Sequence, residues 1–308
     1  MKMINVVNGP QNVSAVVMGC MRMPALSVEA ATKMICTATE KGVNFFDHAT
    51  CYGDGEAETR FGDAFPQTGL KREDIFLQSK CGLHFDRKEF DWSKEDILVS
   101  TDGILKRLKT EWLDVLLLHR PDLLFDPEEV AEAFSQLKKS GKVRHFGVSN
   151  VTPGQLELLK KYVEVPLVFN QLQFSLEQTQ LIDNGLYLNN LTTERSINRD
   201  NGILDYCRLH DITIQAWSPL QFGMFKGCFV DHPAFPELNR VLGELGEKYG
   251  VSRTAIAIAW ILRHPARMQA IAGTMNPEHL KDICSATGVF LTHQEWYALY
   301  LASGKFLP

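Results

Sequence analysis

The chain has 308 residues, with 32 Lys and Arg against 37 Asp and Glu for a formal charge of −5; 45% of its residues are hydrophobic and 22% charged. That balance excludes a disordered chain, and its mild acidity gives no footing for nucleic acid or a polybasic membrane contact. No apolar run reaches the roughly 20 residues of a membrane helix, so neither nucleic acid nor a membrane is expected as a partner. Met1-Lys2-Met3-Ile4-Asn5 lacks the apolar core of a signal peptide. The seven Cys, with no C-x-x-C pair, suit a reducing cytoplasm better than a disulfide framework.

In chain order, residues 4–10 and 13–17 read as a short β-hairpin. Eight apolar runs follow, at 16–19, 43–47, 75–79, 115–119, 145–149, 168–171, 213–217 and 269–273. Most are bounded by turn residues and lack alternation of apolar and polar positions, the pattern of strands buried on both faces. The segments between them carry helix starts. Ser27 precedes an apolar face of Val28, Ala31, Ile35 and Ala38 that Gly42 closes, and Ser93 precedes Ile97, Ile104, Leu105 and Leu108. Asp126-Pro127-Glu128-Glu129 places an acceptor at the cap, a proline where no hydrogen bond is lost, and a carboxylate in the first turn. Val130, Ala133, Phe134 and Leu137 then form one stripe, and Gly141 supplies the stop. Thr152-Pro153-Gly154-Gln155 repeats that start. One polar stretch, 184–201, is too long for a plain strand-to-helix connection and reads as a functional or mobile loop.

Eight strands alternating with helices predict a parallel sheet, and eight is the number that closes a barrel. No G-x-G-x-x-G follows the first strand and no G-x-x-x-x-G-K-[ST] occurs anywhere, which weakens the rival, an open doubly wound sheet. No composition shift marks a boundary. Residues 1–308 are therefore expected to form one domain of the α/β class, a (β/α)8 TIM barrel with a short N-terminal β-hairpin.

In such a barrel the C-terminal strand ends meet at one rim, where active sites sit. The ends here carry Asp47, with Tyr52 five positions on; Lys80; His119; Ser149 and Asn150; Gln171; Trp217, followed by Ser218, Pro219 and Leu220; and Gly273 with Thr274. Taken singly, each has a plain reading: a turn-capping Asp, a solvated Lys, a core His, a packing Trp. His119-Arg120-Pro121-Asp122 looks like a fragment of a kinase catalytic loop, but the rest of that signature is missing. Together the set has a chemical logic. A tyrosine can donate a proton to a developing alkoxide, a nearby ammonium lowers its pKa, and an adjacent aspartate holds that ammonium charged and oriented. A histidine can hydrogen-bond a carbonyl oxygen. Asn150 and Gln171 suit a carboxamide, and Trp217 offers a flat face to a heteroaromatic ring. The combination suits hydride transfer to a carbonyl.

These residues lie in motifs that resemble those of the aldo-keto reductase family: Gly42-Val43-Asn44-Phe45-Phe46-Asp47-His48-Ala49 with Tyr52-Gly53, then Lys80, Leu116-Leu117-Leu118-His119, Gly147-Val148-Ser149-Asn150, Asn170-Gln171 and Trp217-Ser218-Pro219-Leu220. The likeness runs in order along nearly the whole chain and takes in the hairpin and Gly19-Cys20-Met21-Arg22-Met23. It implies a reductase of aldehydes or ketones that takes hydride from NADP(H) in preference to NAD(H), acting on a small-molecule carbonyl substrate. It implies a tetrad in which Tyr52 is the acid, Lys80 and Asp47 tune it, and His119 orients the carbonyl. Ser149, Asn150 and Gln171 would hold the carboxamide and Trp217 would stack on the nicotinamide. Asp47 and Met21 would also touch the cofactor, and Ser218, Pro219 and Leu220 would lie along the pyrophosphate. Gly273, Thr274, Asn276 and His279 would stand at its adenosine end. Relatives carry a Lys-Ser pair and then an Arg there, to grip the 2′-phosphate; here Gly273 replaces the Lys and His279 the Arg. Asn276 and Pro277 still read as a helix start able to receive an anion.

Cys20, Cys51 and Cys81 adjoin site positions and read as small apolar fillers rather than redox sensors. No metal-ligand spacing occurs. Phe85, Phe90, Trp92 and Phe125 are candidates for an apolar mouth, each equally well read as ordinary packing. The alternative function is a nicotinamide-cofactor-binding regulatory subunit with little turnover, because fold alone does not set activity.

Overall fold

The computed structural model describes residues 1–190 and 192–308. Eight parallel strands close into a barrel: β1 (Val16–Gly19), β2 (Phe45–Asp47), β3 (Phe76–Cys81), β4 (Leu113–Leu118), β5 (Val143–Ser149), β6 (Leu167–Gln173), β7 (Thr213–Trp217) and β8 (Gln269–Ala272). Around the barrel they follow chain order, with β8 pairing β1. The expected (β/α)8 architecture is the one observed, with strand ends displaced by two residues at most. The largest gain is at β6, where Leu172 and Gln173 keep pairing with Ala216 and Trp217. The largest loss is at β2, where the Asn44 side chain turns to Ser14 N and Asn12 O.

The helices α1 (Val28–Glu40), α2 (Glu56–Ala64), α3 (Lys94–Leu108), α4 (Pro127–Lys139), α5 (Pro153–Tyr162), α6 (Gln180–Leu186), α7 (Ile203–Leu209), α8 (Pro236–Tyr249), α9 (Arg253–Leu262), α10 (Pro277–Ser285) and α11 (His293–Ala302) fill the connections and the C-terminus. The caps read from the sequence are made. Ser27 accepts from Ala30 N, Ser93 from Asp96 N and Asp126 from Glu128 N, and Thr152 with Gln155 forms a reciprocal box. Gly42 and Gly141 take φ values of +81° and +77° just beyond α1 and α4, where a side chain would be strained. Among the described residues no helix is long and apolar enough to cross a membrane.

The N-terminal hairpin is shorter than expected, pairing Met3–Ile4 with Val13–Ser14. It buries Val6, Val13 and Ala15, and Ser14 O accepts from Gln269 Nε2 at 2.8 Å, so it seals the N-terminal end of the barrel. That seal leaves the opposite rim as the open end.

Two rim features become defined in the structure. Trp92 is fully buried, 5.1 Å from the Phe125 ring and over Gly82, where a Cβ would meet Trp92 Cδ1 at 2.6 Å. It is packing rather than mouth. Phe85 and Phe90 are exposed on the small hairpin of Leu83–His84 and Glu89–Phe90. The 184–201 stretch begins inside α6 and holds a single 3-10 turn at Glu194–Ser196, while position 191 lies outside the described residues. Arg195 Nη1 ties this stretch to Asp183 at 2.9 Å, and Tyr300 of α11 donates to the same carboxylate at 2.7 Å.

Candidate active site

Side chains alternate along β3, so Gln78 and Lys80 point into the barrel and Ser79 points out. Outside, Ser79 Oγ donates to the buried Glu58 of α2 at 2.5 Å, and Arg107 of α3 completes that pair at 2.7 Å. Inside, the fully buried Lys80 Nζ reaches three acceptors: Asp47 Oδ2 at 2.7 Å, His48 O at 2.8 Å and Tyr52 Oη at 3.2 Å. The phenol oxygen thus accepts from Lys80, which leaves its own O–H free to donate elsewhere. Tyr52 is carried there by a tight reversal after β2, in which Gly53, Asp54 and Gly55 all have positive φ before α2 begins.

Below the ammonium, Asp47 Oδ1 accepts from Gln78 Nε2 at 2.6 Å and Gln171 Nε2 at 3.0 Å. Both amides also donate to Gln215 Oε1, and Gln215 in turn donates to Gln269 Oε1 at 2.9 Å. A chain of four glutamines therefore crosses the barrel interior from Asp47 to the hairpin seal. It gives Asp47 Oδ1 two fixed donors, while Lys80 holds Oδ2, so both carboxylate oxygens are satisfied inside the barrel.

His119 follows β4. Its ring stands edge-on to Tyr52, with centroids 6.0 Å apart, and its Nδ1 lies 3.5 Å from Cys51 Sγ. Its Nε2 has no partner among the described residues. Burial, then the positive charges of Lys80 and Arg120, hold its pKa well below the ordinary histidine range, so the ring is neutral at pH 7. Burial pushes the Tyr52 phenol up to about 12 against the pull of Lys80. The expected lowering by the ammonium is thus present as one influence, and desolvation outweighs it. Burial also opposes charge on Lys80, but Asp47 and then Tyr52 raise its pKa above the usual lysine value. The Cys51 thiol is pushed up to about 11 by burial, and Cys20 and Cys81 are raised by the same cause, in keeping with filler cysteines.

A second patch adjoins the tetrad. Asn150, at φ +61°, sends its backbone N–H to Gln171 O at 3.0 Å and its Nδ2 to His119 O at 3.3 Å. Ser149 Oγ donates to Gln171 O at 2.9 Å and accepts from Asn150 Nδ2 at 2.8 Å. Trp217 Nε1 donates to Asn150 Oδ1 at 3.1 Å, which sets the plane of a half-buried indole. The Gln171 amide N–H groups are committed to Asp47 and Gln215, so only its Oε1 remains to meet a ligand donor. After Trp217 the chain turns through Ser218 at φ +50° into the buried Pro219 and then Leu220.

A third group lies at the ends of β1 and β8. Met21 is half-buried. Arg22 Nη1 donates to Gly273 O at 3.0 Å, and a Cβ placed on Gly273 would stand 3.0 Å from that same nitrogen. Thr274 Oγ1 accepts from Asn276 N, and Asn276 Oδ1 caps α10 by accepting from Glu278 N at 2.9 Å. His279 is exposed in the first turn of α10.

A model of the aldo/keto reductase family matches residues 15–300. The chain belongs to the aldo/keto reductase family. It is 34% identical to the uncharacterized oxidoreductase YcsN of Bacillus subtilis, over 85% of this chain and 84% of that one. It is 34% identical to a 6-dehydroglucose reductase of Agrobacterium fabrum, over 86% of this chain and 85% of that one. An aldo-keto reductase of Klebsiella pneumoniae solved in complex with NADPH superposes with a TM-score of 0.76 at 25% identity, covering 97% of this chain and 94% of that one.

Three features of this aldo-keto reductase escaped the sequence reading. Gln78, Gln215 and Gln269 sit at inward strand positions, and their only signal was a polar residue inside an apolar run. Cys51 meets His119 across 68 residues of chain. Arg22 stands where the side chain missing from Gly273 would have been. A recess of about 710 Å³ lies on the outer wall along α4, bordered by Lys94 and Tyr162, and no tetrad residue lines it.

Proposed function

We propose that this aldo-keto reductase reduces an aldehyde or ketone to the alcohol, with Tyr52 as the general acid and NADP(H), in preference to NAD(H), as the redox cofactor. The observation that carries this reading is the contact of the buried Lys80 ammonium with both Asp47 and Tyr52. The residues fit a nicotinamide dinucleotide: the half-buried indole of Trp217 with its plane set by Asn150, the free Oε1 of Gln171, and an exposed guanidinium, Arg22, beside a glycine that leaves it room. When bound, the cofactor supplies the hydride. His119 Nε2, on a neutral ring, holds the substrate carbonyl oxygen. Tyr52 gives its proton to that oxygen as negative charge develops, and Lys80 stabilises the tyrosinate left behind. Asp47, clamped by Gln78 and Gln171, keeps the ammonium aimed at the phenol. In alcohol oxidation the same phenol, once deprotonated, is the base.

Arg22 supports the preference for NADP(H). It offers one cation at the end of β8, in place of the two that Gly273 and His279 lack. The NADPH complex of the Klebsiella pneumoniae relative lends further support. Retention of all four tetrad residues favours turnover over a regulatory subunit.

The test is cofactor consumption with a panel of aldehydes and ketones. Tyr52→Phe should bind NADPH like the wild type and lose roughly a hundred- to ten-thousandfold in turnover. Undiminished turnover refutes the assignment of the acid, and tight binding without turnover in the wild type favours the regulatory reading.

A further inference from the structure

Arg120 follows His119 directly and leans over Trp217, its guanidinium carbon 5.6 Å from the indole centroid. The side chain is half-buried, and burial lowers its pKa, yet a guanidinium stays charged. It meets no carboxylate and no hydrogen-bond acceptor among the described residues. Other arginines of this protein are matched: Arg72 and Arg144 to Asp114, Arg107 to Glu58, Arg195 to Asp183. The charges around it do not cancel it either. Lys80 and Asp47 neutralise each other, Tyr52 and Cys51 are protonated, and His119 is neutral. Among these neighbouring groups one positive charge is therefore left in excess, on a planar fork of N–H donors.

We propose that Arg120 is a specificity-determining residue that binds a carboxylate on the carbonyl substrate, so that this reductase acts on oxo-acids or formyl-acids. The inference rests on the carbonyl-reductase reading of the tetrad. Topology separates the group from the cofactor's phosphates. Arg120 leaves the end of β4, and β4 lies opposite β8 in the barrel ring, four strands away in either direction. The glycine and helix start that face the phosphates in our reading are at β8. Arg120 instead borders Tyr52, His119 and Trp217, the end at which a carbonyl is held. A guanidinium and a carboxylate match in bidentate geometry, and partial burial strengthens the pair.

The experiment compares 4-carboxybenzaldehyde with its methyl ester, methyl 4-formylbenzoate, on the wild type, Arg120→Leu and Arg120→Lys. In Arg120→Leu the KM for the acid should rise about ten- to hundredfold, the worth of a lost charge-assisted contact, with kcat within about threefold. The ester should keep its KM, Arg120→Lys should recover part of the loss, and the Kd for NADPH by fluorescence titration should stay level. Equal losses for acid and ester would overturn the proposal and assign Arg120 to the reacting centre. A raised Kd for NADPH would overturn it in favour of the cofactor, and no change would overturn it outright. Calorimetric binding of 4-carboxybenzaldehyde to the NADP⁺ complex needs no turnover. Binding that Arg120→Leu abolishes, in a wild type that reduces neither probe, would uphold the anion site and sink the reductase reading. Equal binding by wild type and variant would sink the anion site.

Discussion

His48 offers a sharp test of how burial governs this site. Its ring is fully buried, edge-on to Phe61 at 4.9 Å, and neither nitrogen has a hydrogen-bond partner. Burial first, and then the Lys80 charge, lowers its pKa from 6.5 to about 3. The folded chain therefore keeps His48 neutral until about pH 3, whereas the unfolded chain takes up a proton below 6.5. Between those values the unfolded state binds more protons, so stability present above pH 6.5 is lost as the pH falls. At pH 5 the loss from this one group is about 2 kcal/mol, from 1.36 kcal/mol per pH unit over 1.5 units. At pH 7 the neutral ring still buries a donor and an acceptor without partners, at a cost of about 1–3 kcal/mol each. Leucine has nearly the same volume and neither polar atom. In urea unfolding, His48→Leu should be more stable than wild type by about 1–2 kcal/mol at pH 7, after some loss to imperfect packing, and the gap should widen by about 2 kcal/mol at pH 5. A variant less stable than wild type at pH 7, or a gap that stays constant between the two pH values, would refute the reasoning.

Lys80→Met strands the Asp47 carboxylate with only its two amide donors and leaves His48 O unpaired. Its unfolding free energy should fall by roughly 3–5 kcal/mol, and adding Asp47→Leu should recover part of that, because both charges are then gone. With the phenol protonated up to about 12, carbonyl reduction should show no loss attributable to Tyr52 between pH 6 and pH 9, and alcohol oxidation should climb with pH throughout. A reduction rate that falls with a midpoint near pH 7.5 and vanishes as a dependence in Tyr52→Phe would contradict this. Gly62 of α2 lets α3 approach so closely that an added Cβ would stand 2.2 Å from Arg107 O. Gly62→Ala should cost about 1–3 kcal/mol, read as a lower thermal midpoint.

Much of this protein is written locally. The caps at Ser27, Ser93, Asp126 and Thr152 depend on residues within three positions of one another, and the buried strands announce themselves as short apolar runs between turns. Once eight such strands were counted, their polar ends had to share a rim, and Asp47, Tyr52, Lys80 and His119 could be grouped before any distance was known. Trp92 kept two readings in the sequence because an aromatic near a strand end packs inward as readily as it lines a mouth. What separates the two outcomes is the absence of a Cβ on Gly82, a contact that composition does not reveal.

The linear chain was enough for the barrel, its N-terminal hairpin and the set of polar residues that share its rim, since these follow from short-range periodicity and from the fact that parallel strands end together. Closure of the barrel supplied the rest. It joined Arg22 to Gly273 across 251 residues and Gln171 to Asp47 across 124, pairings that no spacing rule encodes. It also set the acidity of Tyr52, His48 and His119, because the energy of a charge depends on how much water is removed from around it, and that is a property of the packed volume rather than of neighbouring letters.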